Sequence, residues 1–309
     1  SSDKKIYSLI KKINFMNYSN LTYLFKVLGI IIFLYLLFIL DYQKLFSVLD
    51  DISIFFLIPY IISNIIMVLL KSYRWNLINL FQGINFSSRK YISISFLTIS
   101  FGQLTPAKIG EFGKYIYLKK EGSNFQDGLI NIFSDRFSDI IILFIISLFG
   151  SFFFINYFFG MSYSLISLIY FTILLFIIPI VFFFNYVLSG LIFFKYVQKI
   201  ILEIFKCYYE NLSKILIINL LIFFSILFQL LSLVFLFNVD INIIFLLFIF
   251  SISSLLSLLP ISIGGLGVRE FTFYYFFTIL GLDPEIGFML AFFDGVVFSL
   301  LMIPIYFTA

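Results

Sequence analysis

Long apolar stretches, separated by short charged loops, follow one another along almost the whole chain. About 20 apolar residues make one helical membrane crossing. Six stretches reach that length: 22–40, 52–70, 126–150, 165–187, 215–237 and 286–308. Two further stretches, 91–120 and 243–280, consist of shorter apolar arms broken in the middle by proline and glycine. The pattern therefore predicts an all-α polytopic membrane protein with six full spans and two re-entrant helical hairpins.

Both interrupted stretches contain the same motif. Residues 106–113 read PAKIGEFG and residues 260–267 read PISIGGLG, so both follow P-x-x-I-G-x-[F/L]-G. Lipid satisfies neither a freed backbone group nor an ion, so helix breakers and charges at membrane depth indicate function. Each half then reads span, span, hairpin, span, which predicts an inverted repeat with halves at about 22–150 and 165–308. The whole chain, 1–309, forms one membrane domain.

Lysine and arginine fix the expected orientation, because cytoplasmic loops are enriched in them. They cluster before the first span, after the second span and after the fourth: Lys4, Lys5, Lys11, Lys12, Lys71, Arg74, Arg89, Lys90, Lys195, Lys199, Lys206 and Lys214. These regions are predicted to be cytoplasmic. The chain is therefore expected to be a multi-pass protein of the inner (cytoplasmic) membrane with a cytoplasmic N-terminus.

The composition agrees with a membrane protein and argues against several other classes of protein. The chain is 62% hydrophobic and 12% charged, whereas a soluble domain has about 25% charged residues. Cys207 is the single cysteine and there is no histidine, which argues against an intrachain disulfide and against metal or histidine chemistry. No metal, cofactor or nucleic-acid partner is predicted.

The two motif loops are the first candidate binding site. Helix N-termini and glycine-rich turns can hold an anion, and an arginine can grip phosphate with two hydrogen bonds. The candidate residues of these loops are Lys108, Gly110, Glu111, Gly264, Gly265, Gly267, Arg269 and Glu270. They predict a phosphate-bearing substrate. Two alternatives stay open: the glycines pack hairpins against neighbouring spans, and the glutamates form structural ion pairs with Lys108, Lys114 and Arg269.

A second set of charges lies outside the loops. Asp135, Arg136 and Asp139 enter the span after the first hairpin, and Asp294 is at the matching place after the second. Arg136 is predicted to bind phosphate, and the aspartates to balance charge or carry a proton. The alternative for Asp135 is an interfacial helix start. Arg74, within the run Tyr73 to Trp75, is either a substrate contact or an anchor at the lipid headgroups.

Four motifs together resemble the lysylphosphatidylglycerol synthase transmembrane-region family, a flippase-like membrane domain. They are KSYRW at 71–75, TPAKIGEFGK at 105–114, SDRFSD at 134–139 and LPISIGGLGVRE at 259–270. One departure is Asp135, where family members commonly have glutamate before the arginine. The resemblance implies a protein that translocates lipids or handles lipid carriers. The soluble aminoacyltransferase domain of the bifunctional relatives has no counterpart in these 309 residues, so the family name is not taken as an activity.

The sequence therefore predicts a lipid flippase or transporter for an anionic phospholipid or a polyprenyl-phosphate lipid. The same repeat would also serve a secondary transporter of a small solute or ion. A membrane-embedded lipid-modifying enzyme, with Glu111 or Asp139 as general base, is less favoured because no nucleophile, metal set or nucleotide site is recognisable. The protein partners predicted are further copies of the chain, in a homo-oligomer, and enzymes of envelope-lipid or glycan assembly.

Overall fold

The computed structural model describes residues 18–50, 52–106, 108–159, 192–259 and 261–298. In these ranges the chain forms α-helices and no β-strand. The helices are α1 (Tyr18–Ile39), α2 (Tyr42–Asp50), α3 (Leu57–Phe81), α4 (Ser88–Gln103), α5 (Lys114–Lys120), α6 (Phe125–Phe159), α7 (Ile192–Glu210), α8 (Leu212–Leu236), α9 (Ile243–Leu256), α10 (Val268–Ile279) and α11 (Pro284–Phe292). Short 3₁₀ turns cover Ile54–Phe56 and Ile109–Gly113, and a π-helical turn covers Phe293–Val297. The all-α prediction is confirmed.

Within the described residues, three helices are long and apolar enough to cross a membrane. They are Ile54–Phe81, Phe125–Phe154 and Leu212–Leu236, and they correspond to the second, third and fifth predicted spans. The fourth predicted span lies outside the described residues, and the sixth is described only as far as Phe298. The chain is thus a multi-pass membrane protein by helix length and composition, whereas the number of six spans stays a prediction.

The first predicted span bends sharply at its end. The two helical pieces Leu28–Ile39 and Tyr42–Asp50 meet at 88°. The Asp41 carboxylate accepts hydrogen bonds from the N–H groups of Gln43 at 3.0 Å and Lys44 at 3.4 Å. An acidic side chain that caps the first N–H groups of a helix favours a new start at that point, so α2 begins as a separate helix.

Both predicted hairpin segments are interrupted helices. In the first, α4 is followed by the motif loop, a 3₁₀ turn and α5. In the second, α9 has 14 residues and is followed by the motif loop and α10. A 14-residue helix rises about 21 Å, which is less than the roughly 30 Å of a bilayer core. Neither α4 nor α9 is therefore long enough to cross by itself.

The core lies between helices of the two halves. Helix α3 packs along α8, and α6 packs along α9. Large buried side chains such as Ile222, Leu230 and Leu233 fill the space between them. Many other large apolar side chains face outwards, including Phe38 at 87% exposure and Phe55 at 74%. Such a surface suits contact with lipid tails.

The order of elements repeats along the chain. Helices α3 and α8 each have 25 residues, and each is followed by a short connection, an interrupted helix and a further helix. This repetition agrees with a duplicated half. The opposite orientation of the two halves in the membrane stays a prediction.

Candidate functional site

The two motif loops are in direct backbone contact. Pro106 and Ile263 form an antiparallel bridge, and the N–H of Gly264 donates to the Thr105 carbonyl at 3.2 Å. At Gly264 φ is +60°, and a Cβ there would lie 1.5 Å from the carbonyl oxygen of Gln103. Only glycine allows so close an approach with this backbone conformation. The two loops therefore meet, and we call this contact the loop junction.

The other motif glycines are packed against neighbouring atoms. A Cβ at Gly110 would lie 2.5 Å from the carbonyl group of Phe101, and one at Gly267 would lie 1.9 Å from the carbonyl oxygen of Gly29 in α1. Gly265 is crowded in the same way. Close helix and loop packing therefore accounts for these three glycines. Their contact with a ligand stays a prediction.

Arg74 is fully buried in an ion network of the first half. Its guanidinium donates to Asp135 Oδ1 at 2.8 and 3.0 Å, to Asp139 Oδ1 at 2.7 Å and to Asn219 Oδ1 at 3.0 Å. The alternative of a headgroup anchor is wrong for Arg74 and Trp75. Helix α3 continues past both residues, and both have 0% exposure.

Two lysines complete the pairing of these carboxylates. Lys114 Nζ donates to Asp135 Oδ2 at 2.6 Å and lies 5.0 Å from the ring centre of Trp75. Lys71 Nζ donates to Asp139 Oδ2 at 3.1 Å. Asp135 is buried inside α6, not in its first turn, so the interfacial helix start is wrong for this residue. A buried carboxylate is tolerated here because cations surround it.

Arg136 connects this network to the first motif loop. It donates to Glu111 Oε1 at 2.7 Å and pairs with Asp139 Oδ2 at 2.9 Å. The predicted ion pairs of Glu111 with Lys108 or Lys114 do not form within 4.0 Å among the described residues, since Glu111 pairs with Arg136 instead. The reason is geometric: α6 brings the arginine beside the 3₁₀ turn that carries Glu111.

Arg269 joins the two loops from the second half. Its Nη2 donates to the Gln103 side chain at 3.2 Å and to the Gly264 carbonyl at 3.0 Å. Its Nη1 pairs with Asp294 at 3.4 Å. Asp294 also accepts a hydrogen bond of 2.6 Å from the Gln229 amide. A single guanidinium thus contacts the first interrupted helix, the second loop and the last described helix.

Asp294 lies in the π-helical turn Phe293–Val297. A π turn frees carbonyl groups from the regular helix pattern, and the Tyr60 hydroxyl donates to the Phe293 carbonyl at 2.9 Å. Single π turns within helices are frequent at functional sites. The π turn of this chain directs the carboxylate of Asp294 towards Gln229 in α8 and towards Arg269.

Glu270 has a local partner. Its carboxylate accepts the N–H of Gly267 at 2.6 Å, which caps the first turn of α10. This arrangement satisfies a helix N-terminus inside the protein. Among the residues that the structure describes, Glu270 forms no ion pair with Arg269 within 4.0 Å, although the two groups are adjacent and interact electrostatically.

A cavity of ≈ 90 Å³ lies beside the loop junction. Its charged lining consists of Lys71, Lys108, Arg136, Asp139, Arg269 and Asp294, and its polar lining includes Asn64, Gln103 and Gln229. Three predicted phosphate ligands, Lys108, Arg136 and Arg269, are therefore together at one cavity. Arg74 and Glu111 are buried behind its wall and contact lining residues. Among the described residues, no group of three or more His, Cys, Asp and Glu side chains could hold a metal ion.

Sequence reasoning missed the amides of this site. Gln229 and Asn219 lie in α8, contact Asp294 and Arg74, and come from a span that is otherwise almost entirely apolar. Polar side chains inside a membrane span are functional candidates by default. That rule would have found both residues.

The chain was compared with known proteins in three ways. The model of the family "Lysylphosphatidylglycerol synthase TM region" matches residues 26–304. The search of curated proteins and the search of solved structures found no match. The matched region includes both motif loops and every charged residue of the cavity.

Proposed function

Because the chain belongs to the lysylphosphatidylglycerol synthase transmembrane-region family, we propose that it is a lipid transporter of the flippase type. It binds the headgroup of an anionic, phosphate-bearing lipid at the loop junction and moves it across the membrane. The family is named for the transmembrane region of an enzyme that acts on a lipid. The multi-pass helical architecture of this chain agrees with a location in the membrane.

One observation carries the proposal: two interrupted helices meet at a cavity lined by four cations and two carboxylates. Broken helices that meet at the interface of two repeats form the substrate site in many secondary transporters. In this proposal the two halves are inverted repeats that together have six spans. The protein lies in the inner membrane, and its N-terminus is in the cytoplasm.

The cavity has an apolar side that suits lipid tails. Ile140, Leu143 and Ile222 line it together with the cations. Ile140 is also 40% exposed on the outer surface, so the cavity lining continues to the surface that faces lipid. A headgroup entering beside Ile140 would reach the cations while its tails stay in the bilayer.

The ion pairs suggest how the cations of the site are held before a headgroup binds. Arg269 is held by Asp294, and Arg136 by Glu111 and Asp139. A buried cation without a partner is costly, so these carboxylates keep the arginines in place until a phosphate arrives. Charge-assisted hydrogen bonds from Arg269 to phosphate would then replace its long pair with Asp294. Arg74 supports this by fixing Asp139.

Reconstituted liposomes test the proposal. Purified protein is inserted into vesicles containing a fluorescent phospholipid, and the fraction of label accessible from outside is followed with time. We expect faster redistribution with the protein than without it, and loss of that gain in the Lys108→Ala, Arg269→Ala double variant. Lys120→Ala, at an exposed helix end, is the matched control. Unchanged redistribution in a folded double variant would contradict the proposal.

A further inference from the structure

Helix α2 leaves the end of α1 at a right angle. Helix α1 has 22 residues and rises about 33 Å, which is enough to cross the roughly 30 Å core of a bilayer without α2. The pieces Leu28–Ile39 and Tyr42–Asp50 meet at 88°. Membrane-spanning helices are tilted by about 20° on average, so a helix at 88° to one of them runs close to the plane of the membrane. Helix α2 therefore adds nothing to the crossing made by α1.

The side chains of α2 form three stripes along the helix. Tyr42, Phe46 and Leu49 follow one another at helical spacing, so they share one stripe, and they are 51%, 62% and 36% exposed. We call it the outer stripe. Leu45 and Val48 form a second stripe, which packs against the core. The third stripe is polar and exposed, and it consists of Gln43, Lys44, Ser47 and Asp50.

Protein contacts alone cover little of α2. None of its nine residues, all of which the structure describes, is fully buried. Isolated helices shorter than about 12 residues are marginal in water, and most helices in proteins are stabilised by burial of an apolar face. A helix as short as α2 therefore needs a further apolar partner, and the outer stripe is the face left for it.

The outer stripe continues the apolar surfaces on both sides of α2. Phe38, near the end of α1, and Phe55, just before α3, are both strongly exposed. The segment that contains Phe55 is long and apolar enough to cross a membrane, so its exposed side chains face lipid. Two of the three side chains of the outer stripe are aromatic, and aromatic side chains are enriched where acyl tails meet headgroups. Since α2 carries one lysine and one aspartate, Lys44 and Asp50, its partner is selected by apolar contact and not by net charge.

We propose that α2 is an interfacial helix, which lies in the boundary between the headgroups and the acyl tails of the bilayer. Its outer stripe inserts among the lipids, and its polar stripe faces water. An amphipathic helix in this position buries its apolar face about 5–10 Å into the boundary. The partner is the lipid surface itself, so the inference is independent of the proposed lipid transport.

This position of α2 also sets the depth of α11. Helix α2 packs against α11, the N–H of Asp41 donates to Glu285 at 3.4 Å, and Lys44 pairs with Asp283 at 3.8 Å. Both carboxylates are at the start of α11, and the other end of α11 leads into the π turn that carries Asp294. The surface of the bilayer is thereby connected to the helix that positions this aspartate.

Fluorescent labels on neighbouring residues of α2 test the proposal. In a Cys207→Ser background, Phe46→Cys and Leu49→Cys label the outer stripe, and Ser47→Cys and Asp50→Cys label the polar stripe. Each variant is labelled with nitrobenzoxadiazole and placed in nanodiscs of phosphatidylcholine, which leave both membrane faces open to water. Quenching is measured with iodide, and with phosphatidylcholine that carries a spin label either near the headgroup or deep in the acyl chain.

Cys207 and two further positions provide the controls. The Cys207 thiol is buried, at 1% exposure, so the unaltered protein should take up almost no label. If Cys207→Ser does not fold, the four cysteines can therefore be introduced beside Cys207 and give the same comparison. Lys120→Cys, at the exposed end of α5, gives the value for a label in water. Ile145→Cys, on the exposed side of the membrane-spanning part of α6, gives the value for a label in lipid.

The neighbouring labels should behave oppositely. We expect the shallow spin label to quench the two outer-stripe labels at least about threefold more than the two polar-stripe labels, and iodide to show the reverse. Equal iodide quenching at all four positions would overturn the proposal, because α2 would then lie in water. Strongest quenching by the deep spin label at all four positions would make α2 part of a broken span and also overturn it. Protection of the outer stripe from every quencher would identify a protein partner in place of lipid.

Discussion

Two aspartates at matching places in the two halves have very different surroundings. Asp139 pairs with Lys71, Arg74 and Arg136, whereas Asp294 has Arg269 at 3.4 Å and the neutral Gln229. The match is close along the chain: from 74 to 229, from 114 to 269 and from 139 to 294 the offset is constant at 155. Position 74 is thus an arginine in the first half, and its counterpart at 229 is a glutamine.

This difference separates a fixed region from a responsive one. In the first half several cations hold two carboxylates, and removing one partner leaves a buried charge unpaired. In the second half one long ion pair and one amide hold a single carboxylate. We infer that the first half keeps the loop junction in place, while the contacts of Arg269 and Asp294 exchange when a headgroup binds.

Arg74→Gln would give the first half the chemistry of the second. Asp135 and Asp139 would lose their shared cation at full burial, so we expect a loss of about 3–5 kcal/mol in stability. Thermal unfolding of the purified protein in detergent measures it. Arg89→Gln, an exposed arginine, should cost less than about 0.5 kcal/mol. Equal losses in the two variants would refute the idea of a fixed first half.

Gly264→Ala would separate the two halves at the loop junction. Its Cβ would meet the Gln103 carbonyl at 1.5 Å, and relief requires the loops to move apart, which we expect to cost about 2–4 kcal/mol. The control is Gly83→Ala, where φ is also positive but no atom lies within 4 Å of the added Cβ. It should cost only the strain of about 1 kcal/mol. Equal unfolding midpoints for the two variants would show that the contact between the loops contributes nothing to stability.

The same substitution at the matching aspartates compares the halves directly. Asp139→Asn removes the charge that three cations share, whereas Asp294→Asn removes a single pair of 3.4 Å and leaves Gln229 able to bond the new amide. We expect the first change to cost about 2 kcal/mol more than the second. Urea titration of both variants, followed by tryptophan fluorescence of Trp75, gives the difference. A larger loss at Asp294 would reverse our assignment of the two roles.

Lys108→Gly should separate stability from binding. The backbone of Lys108 is left-handed, with φ 55°. Glycine adopts the left-handed conformation without strain, so stability should rise by about 0.5–1 kcal/mol. Redistribution of the anionic phospholipid in liposomes should nevertheless slow, because the substitution removes a cation from the cavity lining. A variant that is less stable than the unaltered protein would show that Lys108 has a structural partner.

Several elements of this fold follow from the sequence, for a simple physical reason. The span predicted at 215–237 is observed as α8, Leu212–Leu236, because an apolar run of that length has few alternatives in a bilayer. The interrupted segments were predictable from proline and glycine. The bend after α1 was not, because it depends on the cap that Asp41 gives to α2.

The pairing of charges was harder to predict than their presence. Arg136 was predicted to bind phosphate, yet its contact with Glu111 depends on how α6 packs beside the first loop. For Arg74, within the run Tyr73 to Trp75, the sequence left open a substrate contact or an anchor at the lipid headgroups. Only the length of α3 and its contacts with α6 and α8 show that it is buried. Residue type indicates the chemistry of a site, whereas partners depend on tertiary packing.

The hydrogen bond across the loop junction has a consequence for synthesis. Thr105 and Gly264 are 159 residues apart, so at about 5–20 residues per second the ribosome needs on the order of 8 to 30 s between them. The hydrogen bond from Arg74 to Asn219 likewise forms only after 145 further residues have been made. The newly made first half must therefore be sheltered by the insertion machinery or by transient lipid contacts. A stalled chain that ends before residue 264 should be an efficient target for membrane quality-control proteases.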